Sequence, residues 1–125
     1  IEEMLRFEPS INFILRVAIE DFKYGDMVIP AGSLALGLIG AINRDPARFE
    51  DADAFDITRR PNAQYIFGGG PHVCIGAPLA RLEVQAAFTA LLERFSRIEL
   101  AGEPVWWTDR TNQRGLQSLP VRLIP

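Results

Sequence analysis

The clearest periodic signal lies over residues 78–95, where Ala80, Val84, Ala87, Phe88, Leu91, Leu92 and Phe95 recur at i, i+4, i+7 and i+8 spacing. That spacing predicts one helix with a single buried face, and Pro78 suits its first turn. Residues 1–8 read as the end of a helix that Pro9 stops. Phe13 to Ile19 is rich in β-branched and aromatic residues and predicts a strand. After a turn around Tyr24-Gly25-Asp26, the stretch Met27-Val28-Ile29-Pro30 reads as its hairpin partner, and Ala31-Gly32 closes the unit. The apolar run Ser33 to Ile42 predicts a buried strand running into a helix. Asn43-Arg44-Asp45-Pro46 is a turn, because Pro46 disfavours helical conformation at Asp45. Residues 47–66 show no sustained period, and a loop of that length in a compact domain usually has a function. Beyond Ser96 the pattern shortens to strands at Arg97–Leu100 and Ser118–Leu123, with Trp106 and Trp107 packed between them.

Composition narrows the classes. Of the 125 residues, 48% are hydrophobic, high for a small domain solvated all round, so part of the apolar surface is expected to face something other than water. The formal charge of −3 provides no basic field for nucleic acid. A single cysteine excludes an intramolecular disulfide and fits a reducing compartment, hence a cytoplasmic protein. No stretch of about 20 uninterrupted apolar residues is present, so nothing in the chain predicts a membrane span.

That cysteine, Cys74, sits in the run Phe67-Gly68-Gly69-Gly70-Pro71-His72-Val73-Cys74-Ile75-Gly76, just ahead of the predicted helix. A lone cysteine is most often an inert, buried small hydrophobe. Such a residue needs neither three glycines and a proline before it nor a helix start after it. A helix N-terminus favours thiolate over thiol, and the glycines let backbone pass close beneath something flat and bulky. A nucleophilic cysteine lacks a credible base, because His72, the only histidine, would share a side with Cys74 only in a regular extended loop, and the glycines and Pro71 break that regularity. A phosphate loop fails for want of Lys-Ser or Lys-Thr after the glycines. One Cys and one His cannot build a zinc or iron–sulfur site. A single thiolate supporting a large cofactor points to haem.

The loop resembles the haem-binding motif of the cytochrome P450 family, F-x-x-G-x-x-x-C-x-G, in its bacterial form, and Ala77-Pro78-Leu79-Ala80-Arg81 continues the likeness. Upstream, Glu3-Met4-Leu5-Arg6 resembles the family's E-x-x-R, Asn43-Arg44-Asp45-Pro46 its N-R-D-P turn, and Phe55-Asp56-Ile57-Thr58-Arg59 the approach to its meander. The resemblance implies an α+β chain, the C-terminal portion of a mainly α fold. Residues 1–125 would form a haem-binding segment rather than a complete domain, and a start at Ile1 fits a fragment. Such a fragment is expected to be inactive alone and to self-associate.

The resemblance also implies roles. Cys74 would be the axial ligand of haem b (iron protoporphyrin IX), with Phe67 shielding the sulfur, Gly68 shaping the loop and Gly76 admitting backbone N–H groups to it. Arg16, between Leu15 and Val17, and His72 would meet the haem propionates. Glu3, Arg6 and Arg59 would form a buried structural network. Asn12 and Ile14, and a tip at Asn112 and Gln113, would reach substrate. The implied function is a monooxygenase inserting one oxygen atom of O2 into a small organic substrate, with a ferredoxin-type electron donor and its reductase as partners. The alternatives are a non-catalytic haem-thiolate binding or sensor module and, more remotely, a cysteine hydrolase.

Overall fold

The computed structural model describes residues 1–125. A short helix α1 (Glu2–Phe7) ends where Glu8 turns extended before Pro9. Strands β1 (Phe13–Val17), β2 (Phe22–Tyr24), β3 (Met27–Ile29) and β4 (Leu34–Leu38) lead into one helical turn, α2 (Ile39–Ile42). Residues 43–69 contain neither helix nor strand, and a 3-10 turn at Gly70–His72 precedes the long helix α3 (Ala77–Arg94). The chain finishes with β5 (Arg97–Leu100), β6 (Val105–Trp106), β7 (Leu116–Ser118) and β8 (Val121–Ile124). This is the α+β arrangement expected.

The first strand does not take the partner expected of it. β2 pairs with β3, Tyr24 opposite Met27, while β1 pairs antiparallel with β4, from Val17 opposite Leu34 to Phe13 opposite Leu38. Gly25, at φ +58°, makes the tight turn. A two-residue turn pairs residues equidistant from it, so strand 13–17 must face 34–38 and not 27–30. Pro30 has no N–H to continue the ladder, and Asp21 Oδ1 accepts the Ala31 N–H at 2.9 Å in its place. The ladder resumes at Ala18, whose N–H donates to the Ser33 carbonyl at 3.0 Å.

Two further expectations are corrected at the C-terminal end. Residues 118–123 are not one strand: β7 stops at Ser118 and β8 starts at Val121, with Pro120 between them. β5 pairs with β8 and β6 with β7, so Trp106 lies within a strand, opposite Leu116. Trp106 and Trp107 are not packed between the sheets. They remain partly exposed beneath the guanidinium groups of Arg114 and Arg110, 4.8 and 4.7 Å from their ring centroids.

The apolar core is small and gathers beside α1: Ile39, Phe49, Ala52, Ile66 and Ala77. The predicted face of α3 is half-buried at Ala80, Val84, Phe88, Leu91 and Phe95, but Ala87 and Leu92 are exposed. Strand β4 was expected to be buried, yet Leu34, Leu36 and Leu38 are exposed at 67, 59 and 55%, because β1 pairs along its edge while nothing within the chain covers the face on which these three side chains stand. Leu79, Leu82 and Leu92 add a second apolar surface on α3. Patches of this kind are contact surfaces. The 125-residue chain by itself is expected to self-associate. Static light scattering that returned the 14.0 kDa monomer at every concentration would contradict this.

Candidate functional site

The best-satisfied group in the chain is a buried charge. Arg6, with no exposed surface, points inward from α1. Its Nε donates to Glu3 Oε2 and one terminal nitrogen to Glu3 Oε1, both at 2.7 Å, one helical turn apart. The remaining N–H groups reach the carbonyls of Asn43 at 2.9 Å, Ala52 at 2.7 Å and Ala54 at 2.9 Å. All five guanidinium donors therefore have acceptors. Phe49 and Phe7 flank the group, with ring centroids 5.3 and 5.7 Å away.

Glu3 is equally occupied. Besides Arg6 it accepts from the Asp56 N–H at 2.9 Å, Asn62 Nδ2 at 2.9 Å and Arg59 Nε at 3.3 Å. Arg59 also donates to the carbonyls of Glu50 and Asp51. The structure thus brings Glu3, Arg6 and Arg59 together, and the irregular segment 43–62 wraps around them. Asn43, fully buried, extends the network by accepting the Tyr65 N–H at Oδ1, 2.7 Å away. Its N-R-D-P context marked a turn and gave no sign that the asparagine would be buried.

The cysteine loop hangs from this frame. Cys74 donates its N–H to the Phe67 carbonyl at 2.9 Å, and the backbone between them turns through Gly68 and Gly70, at φ +71° and +62°. These two positions favour glycine. A Cβ on Gly69 would lie 2.7 Å from Tyr65 Oη, so the Tyr65 side chain would have to shift to admit one. A Cβ on Gly76 would make an ordinary 3.7 Å contact with Cys74 Sγ. The Cys74 carbonyl receives the Ala77 N–H at 3.2 Å as α3 begins. The sulfur itself accepts no hydrogen bond, so the donors expected after Cys74 are not aimed at it. Cys74 is a free, exposed thiol between exposed Val73 and Ile75.

A second ion pair, which sequence reading missed, lies beside the first. Arg81 of α3 grips Glu2 of α1 at 2.6 and 3.1 Å, and Gln64 Nε2 donates to the same carboxylate at 2.9 Å. The Arg81 bond, aided by Gln64 and opposed by burial, holds the Glu2 carboxyl below its ordinary range. The Glu2-Glu3 doublet at the head of a short helix was the available signal, since adjacent carboxylates there must face different partners.

The other candidate residues are placed as follows. Arg16 is exposed, and its one side-chain hydrogen bond goes to the Leu15 carbonyl at 2.8 Å. His72 is exposed and its ring makes no hydrogen bond. Neither side chain is hydrogen-bonded to the cysteine loop, of which His72 is itself a member. Asn12 and Asn112 do meet: Asn12 Nδ2 donates to the Thr111 carbonyl at 2.9 Å, and the Phe13 N–H to Asn112 Oδ1 at 3.0 Å. Gln113 bridges to Ile11 through backbone. Ile14 packs over Gly37, where a Cβ would come within 2.9 Å of its Cγ1.

The donor chemistry fits a cofactor that brings most of its own ligands. No group of three or more His, Cys, Asp or Glu side chains could hold a bare metal ion, whereas one exposed thiol can ligate a metal already held by a macrocycle. The apolar flanks of the thiol suit a flat, apolar body. No helix is long and apolar enough to cross a membrane.

Comparison with known proteins agrees. The Cytochrome P450 family profile matches residues 1–124. The chain is 49% identical over 125 residues to Cytochrome P450 107B1 of Saccharopolyspora erythraea, covering 98% of this chain and 31% of that protein. It is 46% identical over 125 residues to the beta-dihydromenaquinone-9 omega-hydroxylase of Mycobacterium tuberculosis, covering all of this chain and 25% of that enzyme. The solved structure of P450BioI in complex with a hexadec-9Z-enoic acid ligated acyl carrier protein superposes with TM-score 0.92 at 43% identity, covering 98% of this chain and 32% of that one. The chain thus spans between a quarter and a third of the length of these relatives.

The network makes a stability prediction. Glu3 is held down from an ordinary 4.5 to about 2, chiefly by its bonds to Arg6, with burial opposing and Asp56 N–H and Arg59 adding to the effect. A carboxyl depressed in the folded state stabilises above its unfolded pKa, and the contribution is lost as pH falls from about 4.5 through about 2. Glu3→Gln is expected to cost about 3–5 kcal/mol by leaving Arg6 buried and underpaired, and to flatten the acid limb of stability. Urea midpoints of both proteins between pH 6 and 2, about the range in which carboxylates titrate, check both effects.

Proposed function

This chain belongs to the cytochrome P450 family and corresponds to its C-terminal part, and we propose that it supplies the thiolate wall of a haem monooxygenase. The observation that carries the reading is Cys74: a free, exposed thiol on a glycine-shaped loop, anchored at one end by the Phe67 carbonyl and at the other by α3. In this reading residues 1–125 are a segment of the catalytic fold rather than a complete domain, and the opposite wall of the site comes from the rest of the protein.

Cys74 Sγ would be the side chain that holds the iron of haem b. When bound, such a group would supply the chemistry of dioxygen reduction, and a thiolate is the kind of ligand that suits it to oxygenation rather than oxygen carriage. The chain's own residues do the holding. Gly68 and Gly70 give the loop its turn, and Phe67 presents its carbonyl to the Cys74 N–H and its ring to one side of the loop. Gly76 keeps the flank of the sulfur clear. Arg16 and His72 are the cation and ring available to haem carboxylates. Both side chains are exposed and uncommitted to other residues, apart from the Arg16 bond to its own strand.

In the net reaction one oxygen atom would enter a small organic substrate and the other leave as water, with two electrons arriving from a ferredoxin-type donor and its reductase and two protons from solvent. The hydroxylase named among the relatives supports an enzyme over a sensor module. Asn12 Nδ2 and Asn112 Oδ1 bond to backbone and so fix the pocket edge that Ile14 and Gln113 share, while Asn12 Oδ1 and Asn112 Nδ2 stay available to a substrate.

Cys74→Ser in the haem-loaded protein is expected to abolish the red-shifted carbon monoxide Soret band of the reduced form, together with substrate oxidation, while far-UV circular dichroism stays close to the parent. An unchanged band would overturn the assignment.

A further inference from the structure

The Glu2–Arg81 pair has no part in the buried network, yet it meets the cysteine loop. Arg81 lies on α3 seven residues after Cys74, and its guanidinium carbon sits 4.7 Å from the centroid of the Phe67 ring while its N–H groups grip Glu2. Phe67 is the residue whose carbonyl receives the Cys74 N–H. Gln64 closes the circuit, donating to Glu2 at 2.9 Å and accepting the Ile66 N–H at Oε1, 2.8 Å away. One carboxylate on α1 is therefore bonded to α3 and to the segment entering the loop.

A loop that turns through glycines at positive φ loses more conformational entropy on ordering than one of other residues, so contacts that fix its ends from outside add to the bonds within it. The downstream end continues into α3. The upstream end, at Phe67, has the Arg81 stack above it and the Gln64–Ile66 bond just before it, and both are fastened to Glu2. We infer that Glu2, Arg81 and Gln64 form a clamp that positions the Cys74 loop by immobilising Phe67, separate in its bonds from the clamp that Glu3, Arg6 and Arg59 place on the segment before it. Arg81 and Glu2 are positioning residues: they act on the thiolate through the Phe67 carbonyl. Arginine suits the task because its planar guanidinium can stack on a ring while forking to a carboxylate, which a lysine ammonium cannot do.

The inference rests on the reading of Cys74 as a thiolate ligand, and the test separates the two. Glu2→Gln, Arg81→Gln, Arg81→Lys and the double variant Glu2→Gln/Arg81→Gln are prepared as haem-loaded, reduced, carbon monoxide-bound protein. The measured quantity is the rate at which the thiolate-type Soret band converts to the form without thiolate. Ile39→Ala, a buried apolar truncation outside the clamp, serves as a destabilised control. Arg81→Gln and Glu2→Gln are expected to speed conversion about fivefold, the size appropriate to a half-exposed bidentate pair with its stack. The double variant should be no faster than the faster single one, Arg81→Lys should fall between parent and Arg81→Gln, and Ile39→Ala should melt lower yet convert at the parental rate. Parental conversion rates in the Glu2 and Arg81 variants, or equal acceleration in Ile39→Ala, would overturn the clamp while leaving the ligand assignment standing. Absence of the thiolate band from the parent would overturn the ligand assignment itself.

Discussion

A fully buried guanidinium is the constraint around which this chain is arranged. Arg6 can stay charged without water only if each of its donors finds an acceptor, and those acceptors are scattered: a carboxylate one turn away on α1, and the carbonyls of Asn43, Ala52 and Ala54. The segment that provides the carbonyls has no ladder or helix of its own to fix it. A hydrophobic side chain in place of Arg6 would tolerate many conformations of residues 43–54, because apolar contact is not directional. Five hydrogen bonds with defined directions tolerate few. α1, at six residues too short to persist alone, and the irregular segment thus specify each other.

The doublet Glu2-Glu3 makes α1 a two-sided fastener. Successive residues on a helix point about 100° apart, so the two carboxylates leave in different directions. Glu3 faces the irregular segment and Glu2 faces Gln64 and α3. The loop that carries Cys74 lies downstream of the first attachment and of Gln64, and upstream of Arg81. Its position is therefore set by ionic and hydrogen-bonded groups more than by the small apolar cluster of Ile39, Phe49, Ala52, Ile66 and Ala77. Thiol exposure is compatible with this plan, since directional bonds elsewhere hold the loop and its own side chains are left free.

Features that depend on near neighbours in sequence were legible. Pro78 and the spacing of Ala80, Val84 and Phe88 marked α3, and the glycines before Cys74 marked its loop, since each signal is local. Glu3 with Arg6 could be read at i, i+3. The partner of β1 was misread although the information was present: the Gly25 turn sets a register that places 13–17 opposite 34–38, and treating the nearest apolar run as partner ignored it. The tryptophans were misplaced because aromatic bulk argues for burial, whereas Arg110 and Arg114 cover the rings with charge instead. Residues 47–66 offered no pattern because their backbone groups bond to side chains of a helix some fifty positions earlier. Asn12 and Asn112 also meet across the chain, Asn12 through Nδ2 and Asn112 through Oδ1, a pairing that nothing in the sequence near either residue signals.

That last contact, between residues 99 positions apart, has a consequence in time. Closing a loop of 99 residues costs roughly 4 kcal/mol of chain entropy before any bond repays it. The Glu3–Arg6 pair closes within one helical turn, and the attachments to residues 43–62 need only the first half of the chain. In the order of synthesis, every residue that fastens the irregular segment to Glu3 and Arg6 precedes Asn112. The edge where Asn12 meets Asn112 therefore closes after that frame can, as does the β5–β8 ladder, which waits for residues 121–124, and a nascent chain can order the frame behind the cysteine loop while this edge is still open.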